Sequence, residues 1–151
     1  MLRIGLISDT HGLLRPEAAA YLAGSDRMLH AGDIGADDIL DRLAEIAPLI
    51  AVRGNNDRSG RARALTATAL ERCGDVGVFL IHDLAQLAAE PAAAGARVVV
   101  SGHSHKPVVN ERNGVLYVNP GSAGPRRFKL PISVGELLID GTNIVARLQT
   151  L

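Results

Sequence analysis

The sequence predicts an α/β chain in which two β-sheets pack together with helices on the outside. Two observations point there. The first half alternates short apolar runs with helical periods, the strand–helix–strand pattern of a parallel sheet. The second half turns to hairpins, with tight-turn pairs at Asn113-Gly114 and Asp140-Gly141. The chain has 151 residues, and no repeat, low-complexity linker or break in composition divides it, so one domain over 1–151 is expected.

The elements follow in order. "LRIGLIS" is a short run rich in branched apolar residues and reads as the first strand. "RPEAAAYLAG" reads as a helix, with Pro16 near its start and Gly24 at its end. "RMLHAG" is a second short strand. "ADDILDRLAEIA" carries apolar residues at 39, 40, 43, 46 and 47, a helical period, and its first turn is acidic. "LIAVRG" is the third strand. "ALTATALER" and "VGVFLIHD" read as a strand pair around "CGD". "LAQLAAEPAAAGA" is helical in composition, its Ala-rich part 88–96 reads as a helix surface, and Pro91 shortens or kinks it. "RVVVSG" is a further buried strand, followed by the hairpins "PVVNERNGVLYVNP" and "ISVGELLIDGTNIVARLQTL".

Composition narrows the function classes. Hydrophobic residues make up 47% and aromatics 3%, so the core is built from Ala, Val, Leu and Ile. Sixteen Lys and Arg balance sixteen Asp and Glu, which argues against nucleic acid or an anionic membrane as the main partner. A single cysteine, Cys73, excludes an internal disulfide and fits a reducing compartment. The N-terminal apolar run stops at Asp9, too short for a signal-peptide core, and no run approaches the length of a membrane span. A soluble cytoplasmic protein is expected.

Polar residues gather where the apolar strands end. The first strand ends in "DTHG" (Asp9, His11), the second in "HAGD" (His30, Asp33) and the third in "GNND" (Asn55, Asn56, Asp57). "VGVFLIHD" contributes His82 and Asp83, and "VVVSGHSH" contributes His103 and His105. Ligands of open α/β sheets bind beyond the carboxyl ends of strands. Taken singly, each cluster has an ordinary reading: GNND is a turn, DTH a turn or cap, His82 a satisfied semi-buried side chain, GHSH a solvated pair. Turn chemistry does not require histidine, however, and all 5 histidines of the chain fall in this set.

Imidazole and carboxylate suit Mn, Fe, Zn, Ni or Co, and the missing thiolates argue against a structural zinc site. A pair of divalent ions needs a bridging carboxylate, for which Asp33 is the natural candidate. The amide oxygen of Asn55 would be a neutral ligand and leave the pair more electropositive than a third carboxylate would. That field attracts phosphate and acidifies a bridging water.

The motif order D-x-H, G-D, G-N-x-D, strand-end His and G-H-x-H, with the "NPGS" at 119–122, resembles the calcineurin-like metallophosphoesterase superfamily. Within it, the small size and the "HAGD", "VRGN" and "NPGS" contexts look like the compact YfcE-like phosphodiesterase branch. The resemblance implies a four-layer αββα sandwich of two mixed β-sheets flanked by helices. It implies two divalent metal ions, with Mn2+ first and Fe, Ni, Co or Zn as alternatives. One would take Asp9, His11, Asp33 and His105; the other Asp33, Asn55, His82 and His103. A metal-bridging hydroxide would attack phosphorus in line. Asp33, Asn55, Asp57 and His82 would form the catalytic core, with Asp57 orienting a neighbour of the site. His30 is expected to hold neighbouring groups by hydrogen bonds and not to coordinate.

Two departures from the family pattern bear on substrate. Asn56 stands where relatives often have His or Cys, so protonation of a poor alkoxide leaving group loses its donor. Asp83 and Leu84 stand where small relatives often have Gly-His. Asn56 and Arg126 are the candidate substrate-binding residues, with Arg127 and Arg58 behind them. The expected function is a phosphodiesterase acting on a small phosphate ester. A phosphomonoesterase or nucleotide pyrophosphohydrolase on the same site is the alternative among enzymes. A non-catalytic metal-binding interaction scaffold is the rival from another class, and the complete ligand set argues against it. The chain is expected as a monomer or homo-oligomer, an exposed hairpin edge offering one route to a dimer.

Overall fold

A computed structural model describes residues 1–88 and 90–151. The first half forms β1 (Leu2–Ile7), α1 (Pro16–Leu22), β2 (Arg27–His30), α2 (Asp37–Ile46), β3 (Leu49–Ala51) and the short α3 (Gly60–Arg63). The second half forms β4 (Thr68–Cys73), β5 (Val76–Ile81), β6 (Ala96–Val100), β7 (Val108–Arg112), β8 (Val115–Asn119), β9 (Ser133–Asp140) and β10 (Asn143–Thr150). Among the described residues no helix is long and apolar enough to cross a membrane.

The strands make two five-stranded sheets, ordered β10-β9-β1-β2-β3 and β4-β5-β6-β8-β7. Both are mixed. β1, β2 and β3 run parallel while β9 and β10 return antiparallel; β5, β6 and β8 run parallel while β4 and β7 flank them antiparallel. Residue alternation along each strand splits the apolar side chains between two faces. Ile4, Leu6, Leu29, Val78, Leu80, Val98, Val100 and Leu137 meet between the sheets. Ile7, Met28 and Val134 face outward onto Leu22 of α1 and Ile39 and Leu43 of α2. Gly5 permits this contact, since a Cβ there would lie 2.7 Å from Leu22 and 2.8 Å from Ser25 Oγ.

The fourth layer is thin. "LAQLAAEPAAAGA" does not form a helix: it gives two 3₁₀ turns, Leu84–Gln86 and Pro91–Ala94, with Ala89 between them outside the described residues. Pro91 starts the second turn and Gly95, at φ 87°, ends it, leaving too few residues to nucleate an α-helix. These turns cover the outer face of the second sheet, where Phe79, Ile81, Val99 and Tyr117 cluster with Leu84 and Leu87. The hairpin at Asn113-Gly114 has both residues at positive φ, as a type I′ turn requires. The last hairpin turns one residue later than the sequence predicts: Asp140 still pairs with Asn143, and Gly141 takes the positive φ.

Candidate metal centre

The carboxyl ends of β1, β2, β3, β5 and β6 open on one rim of the sandwich, and the loops leaving them carry the predicted residues together. Glycines allow the approach. A Cβ on Gly54 would collide with the Asp33 carboxylate and backbone, and one on Gly102 with Ser8 Oγ and Asp9. The backbone bends sharply to aim the side chains. Asp9, His11, Asp33, His103 and His105 all sit at positive φ, between 46° and 69°. Non-glycine residues rarely adopt this region, and such strain collects at functional sites.

Asp9 Oδ1 lies 3.2 Å from His105 Nε2 and 3.7 Å from His11 Nε2. Asp33 Oδ2 lies 3.7 Å from His11 Nε2 and 3.4 Å from His82 Nε2, so one carboxylate oxygen faces both imidazoles. Asn55 Oδ1 approaches His82 Nε2 at 3.0 Å and His103 Nδ1 at 3.2 Å. Asp9, His11 and His105, and again Asp9, Asp33 and His82, place one donor atom each within 4.8 Å of one another, close enough to share an ion. Asp9 Oδ1 and His11 Nε2 are buried without a hydrogen-bond partner. Unpaired buried polar atoms are costly, and these two face the same point, as groups meant for a cation would. The donors are oxygen and imidazole nitrogen only, which fits a first-row divalent ion.

His82 has its tautomer fixed. Its Nδ1 donates to the Ala31 carbonyl at 2.7 Å, and a carbonyl can only accept, so in the neutral ring it is Nε2 that presents its lone pair to the site. Burial alone would push the Asp9 carboxyl up, but the nearby His105 and His11 imidazoles, the Ser8 hydrogen bond and the charge of His82 bring it well below the ordinary range. Burial likewise opposes ionisation of Asp33, which His82 and the Asn56 amide more than offset. His11 is raised by the neighbouring Asp9 carboxylate. His82 is raised too: burial works against its charge, but the Asp33 and Asp9 carboxylates prevail. Carboxylates held ionised beside imidazoles describe a site organised around positive charge.

The remaining predicted residues hold this arrangement. Asp57 accepts from the backbone amides of Asp33 (2.9 Å), Ile34 (2.9 Å) and Gly54 (2.8 Å), tying the second loop to the third. His30 is fully buried; its Nε2 donates to Thr10 Oγ1 at 3.0 Å and its Nδ1 accepts from the Gly32 amide at 3.0 Å. Thr10 Oγ1 passes its own proton to the Ile34 carbonyl, which fixes that direction. GNND is a turn as well as a donor loop, since the Asp57 amide bonds back to the Gly54 carbonyl at 3.2 Å. Asn56 points at Asp33, donating from Nδ2 to Oδ2 at 3.0 Å. Arg126 and Arg127 are exposed on the loop after Gly124, and it is the Arg127 charge that reaches His11.

Several contributors are not evident in the sequence. Ser8 donates to Asp9 Oδ2 at 2.6 Å. Asp83 faces His103 Nε2 at 3.8 Å and accepts from the Ala85 amide. "NPGS" is structural: Asn119 Nδ2 bonds the Gly102 carbonyl and Ser104 Oγ, and Ser122 Oγ bonds the Asp9 carbonyl. Asp83 is visible in the sequence as a strand-end carboxylate but its partner His103 is not, and for Ser8 the only signal is a polar residue beside a motif.

Similarity to known proteins agrees with this geometry. The chain is 34% identical to a probable metallophosphoesterase of Methanothermobacter thermautotrophicus, over 96% of this chain and 90% of the relative. It is 28% identical to phosphodiesterase YfcE of Escherichia coli, over 97% and 92% respectively, and superposes on a solved structure of that protein with a TM-score of 0.69. Vps29 of Chaetomium thermophilum superposes with a TM-score of 0.81 at 18% identity, covering 99% of this chain and 96% of that one, a likeness of fold. Residues 2–142 match the calcineurin-like phosphoesterase superfamily domain, and the chain belongs to that superfamily.

Proposed function

We propose that the protein is a divalent-metal-dependent phosphodiesterase with a dinuclear centre. The observation that carries this is the placement of Asp33 Oδ2 between His11 Nε2 and His82 Nε2, at 3.7 and 3.4 Å. Asp33 would be shared by two cations, one held by Asp9, His11 and His105, the other by Asn55, His82 and His103. When bound, the cations supply charge for the phosphoryl oxygens and a water acidic enough to attack phosphorus. Mn2+ is our first choice of ion.

The chain's own groups do the rest. Ala31 holds His82 in the tautomer that offers Nε2. Asp57 fixes the loop carrying Asp33 against the loop carrying Asn55. Arg127 stands on the His11 side, where a guanidinium can meet a phosphoryl oxygen. Asn56 offers hydrogen bonds but no titratable proton, which favours esters whose leaving group departs as a stable anion. A cytoplasmic setting fits Cys73, which is buried and free.

Asp33→Ala tests the reading. The variant should lose Mn2+-dependent hydrolysis of an aryl phosphodiester and retain at most one tightly bound ion where the parent retains two. Unchanged activity and unchanged metal content would defeat the dinuclear assignment.

A further inference from the structure

A groove leaves the candidate centre along β5. Its inner part, a cavity of about 280 Å³, is lined by Asn55 and His82 from the centre and by Arg53 and Asp83 beside them. Its outer part, about 220 Å³, is lined by Phe79, Leu87, Pro91 and Ala94. Thr68, Ile81 and Gln86 line both, so the two cavities are continuous. The floor is the outward face of β5. Ile81 lies next to His82, and Phe79 is two residues farther along the strand, roughly 7 Å away.

The chemistry changes along this path. The inner end holds imidazole, carboxylate, amide and guanidinium groups. The outer end is walled chiefly by apolar side chains, with Thr68, Gln86 and Glu90 among them. An apolar recess that opens into a charged centre suits a ligand with one polar reacting end and one greasy end. Inorganic phosphate or a small alkyl ester would fill the inner cavity and leave the recess in water. Sugars and other polyhydroxy groups would lose water against Phe79 and Leu87 without gaining hydrogen bonds there.

We propose that this groove binds one ester group of the substrate, and that the group is a bulky apolar alcohol lying over Ile81 and Phe79 beneath Leu87. The proposal rests on the phosphoesterase reading and names the substrate class that reading leaves open: phosphoesters with an aromatic or branched hydrocarbon on one side. Selectivity would come from a wall of the second sheet, outside the metal-ligating loops.

The test is binding of two non-hydrolysable probes to the manganese-loaded protein, methylphosphonate and 2-naphthylmethylphosphonate, by titration calorimetry. The naphthyl probe should bind at least tenfold more tightly, and in the protein loaded with diamagnetic Zn2+ its addition alone should shift the methyl resonances of Ile81 and Leu87. In Leu87→Ser and, separately, in Ala94→Glu, the latter at an exposed position outside the packed cluster, the ratio should fall below threefold. Equal affinity for the two probes, or a ratio intact in both variants, overturns the groove and leaves the phosphoesterase reading standing. Failure of both probes to bind overturns the phosphoesterase reading, and the groove proposal falls with it.

Discussion

Asn56 grips Asp33 twice: its backbone amide donates to Oδ1 at 2.9 Å and its side-chain Nδ2 to Oδ2 at 3.0 Å. The position is therefore within hydrogen-bonding distance of the carboxylate placed between His11 and His82. A titratable group introduced there would stand next to the reacting ester. Asn56→His is expected to raise turnover on alkyl phosphomonoesters by at least ~10-fold, because a general acid helps a poor leaving group most. Aryl diesters, whose leaving group needs no proton, should change little. The check is kcat/KM for both substrate types in both proteins; an equal response would contradict this account of leaving-group protonation.

Asp57 makes its contribution through the backbone. It is 5% exposed and accepts amide protons from two different loops. Asp57→Asn keeps the size but removes the charge and turns an NH2 toward one of those donors. Loss of charge-assisted hydrogen bonds of this kind costs about 2–3 kcal/mol. Denaturant unfolding should show that loss, accompanied by weaker metal retention as the two loops come apart.

His30 gives the metal-free protein a pH dependence of definite sign. Burial lowers its pKa to about 4, and both ring nitrogens are satisfied only in the neutral form. The unfolded chain takes up a proton near pH 6.5, which the folded chain refuses until about pH 4. Stability from this residue is therefore complete above pH 6.5 and declines as pH falls toward 4. The span corresponds to roughly 3 kcal/mol. Urea unfolding of metal-free wild type between those limits should lose more stability than His30→Gln, which lacks the titration. Parallel curves would refute it.

Metal affinity should be pH-dependent in the same direction for a different reason. The carboxylates around His11 and His82 favour their protonated forms, and a cation must displace those protons. Apparent Mn2+ affinity should weaken on acidification from above the ordinary histidine range, by roughly tenfold or more per pH unit once below it. Calorimetry in buffers of differing ionisation enthalpy would count the protons released. A flat profile would mean the imidazoles are not ligands.

Which parts of this were legible in the sequence follows from where the information resides. The strands of the first sheet could be read because β1 and β2 are short branched runs ending abruptly in Asp9 and Asp33. The metal-capable residues were legible because histidine has no reason to recur in turns. The segment after His82 was misread because alanine favours helices locally, while Pro91 and Gly95 limit each turn to a few residues. Asp57 was legible as a residue that orients the site, but not its partners, the backbone amides of Asp33, Ile34 and Gly54, which no side-chain pattern encodes. The pairing of Asp83 with His103 depends on two loops from neighbouring strands meeting, and so appears only once β5 lies beside β6.

The left-handed backbone at Asp9, His11, Asp33, His103 and His105 sets endurance against chemistry. Glycine at any of these positions would relax the chain, by roughly 1 kcal/mol at each. It would also delete a donor group or, at Asp33, the one carboxylate oxygen that faces two imidazoles. Heat resistance and turnover therefore make opposite demands on the same few codons. A lineage freed from the need to cleave anything would have a physical incentive to erase the centre first and keep the sandwich.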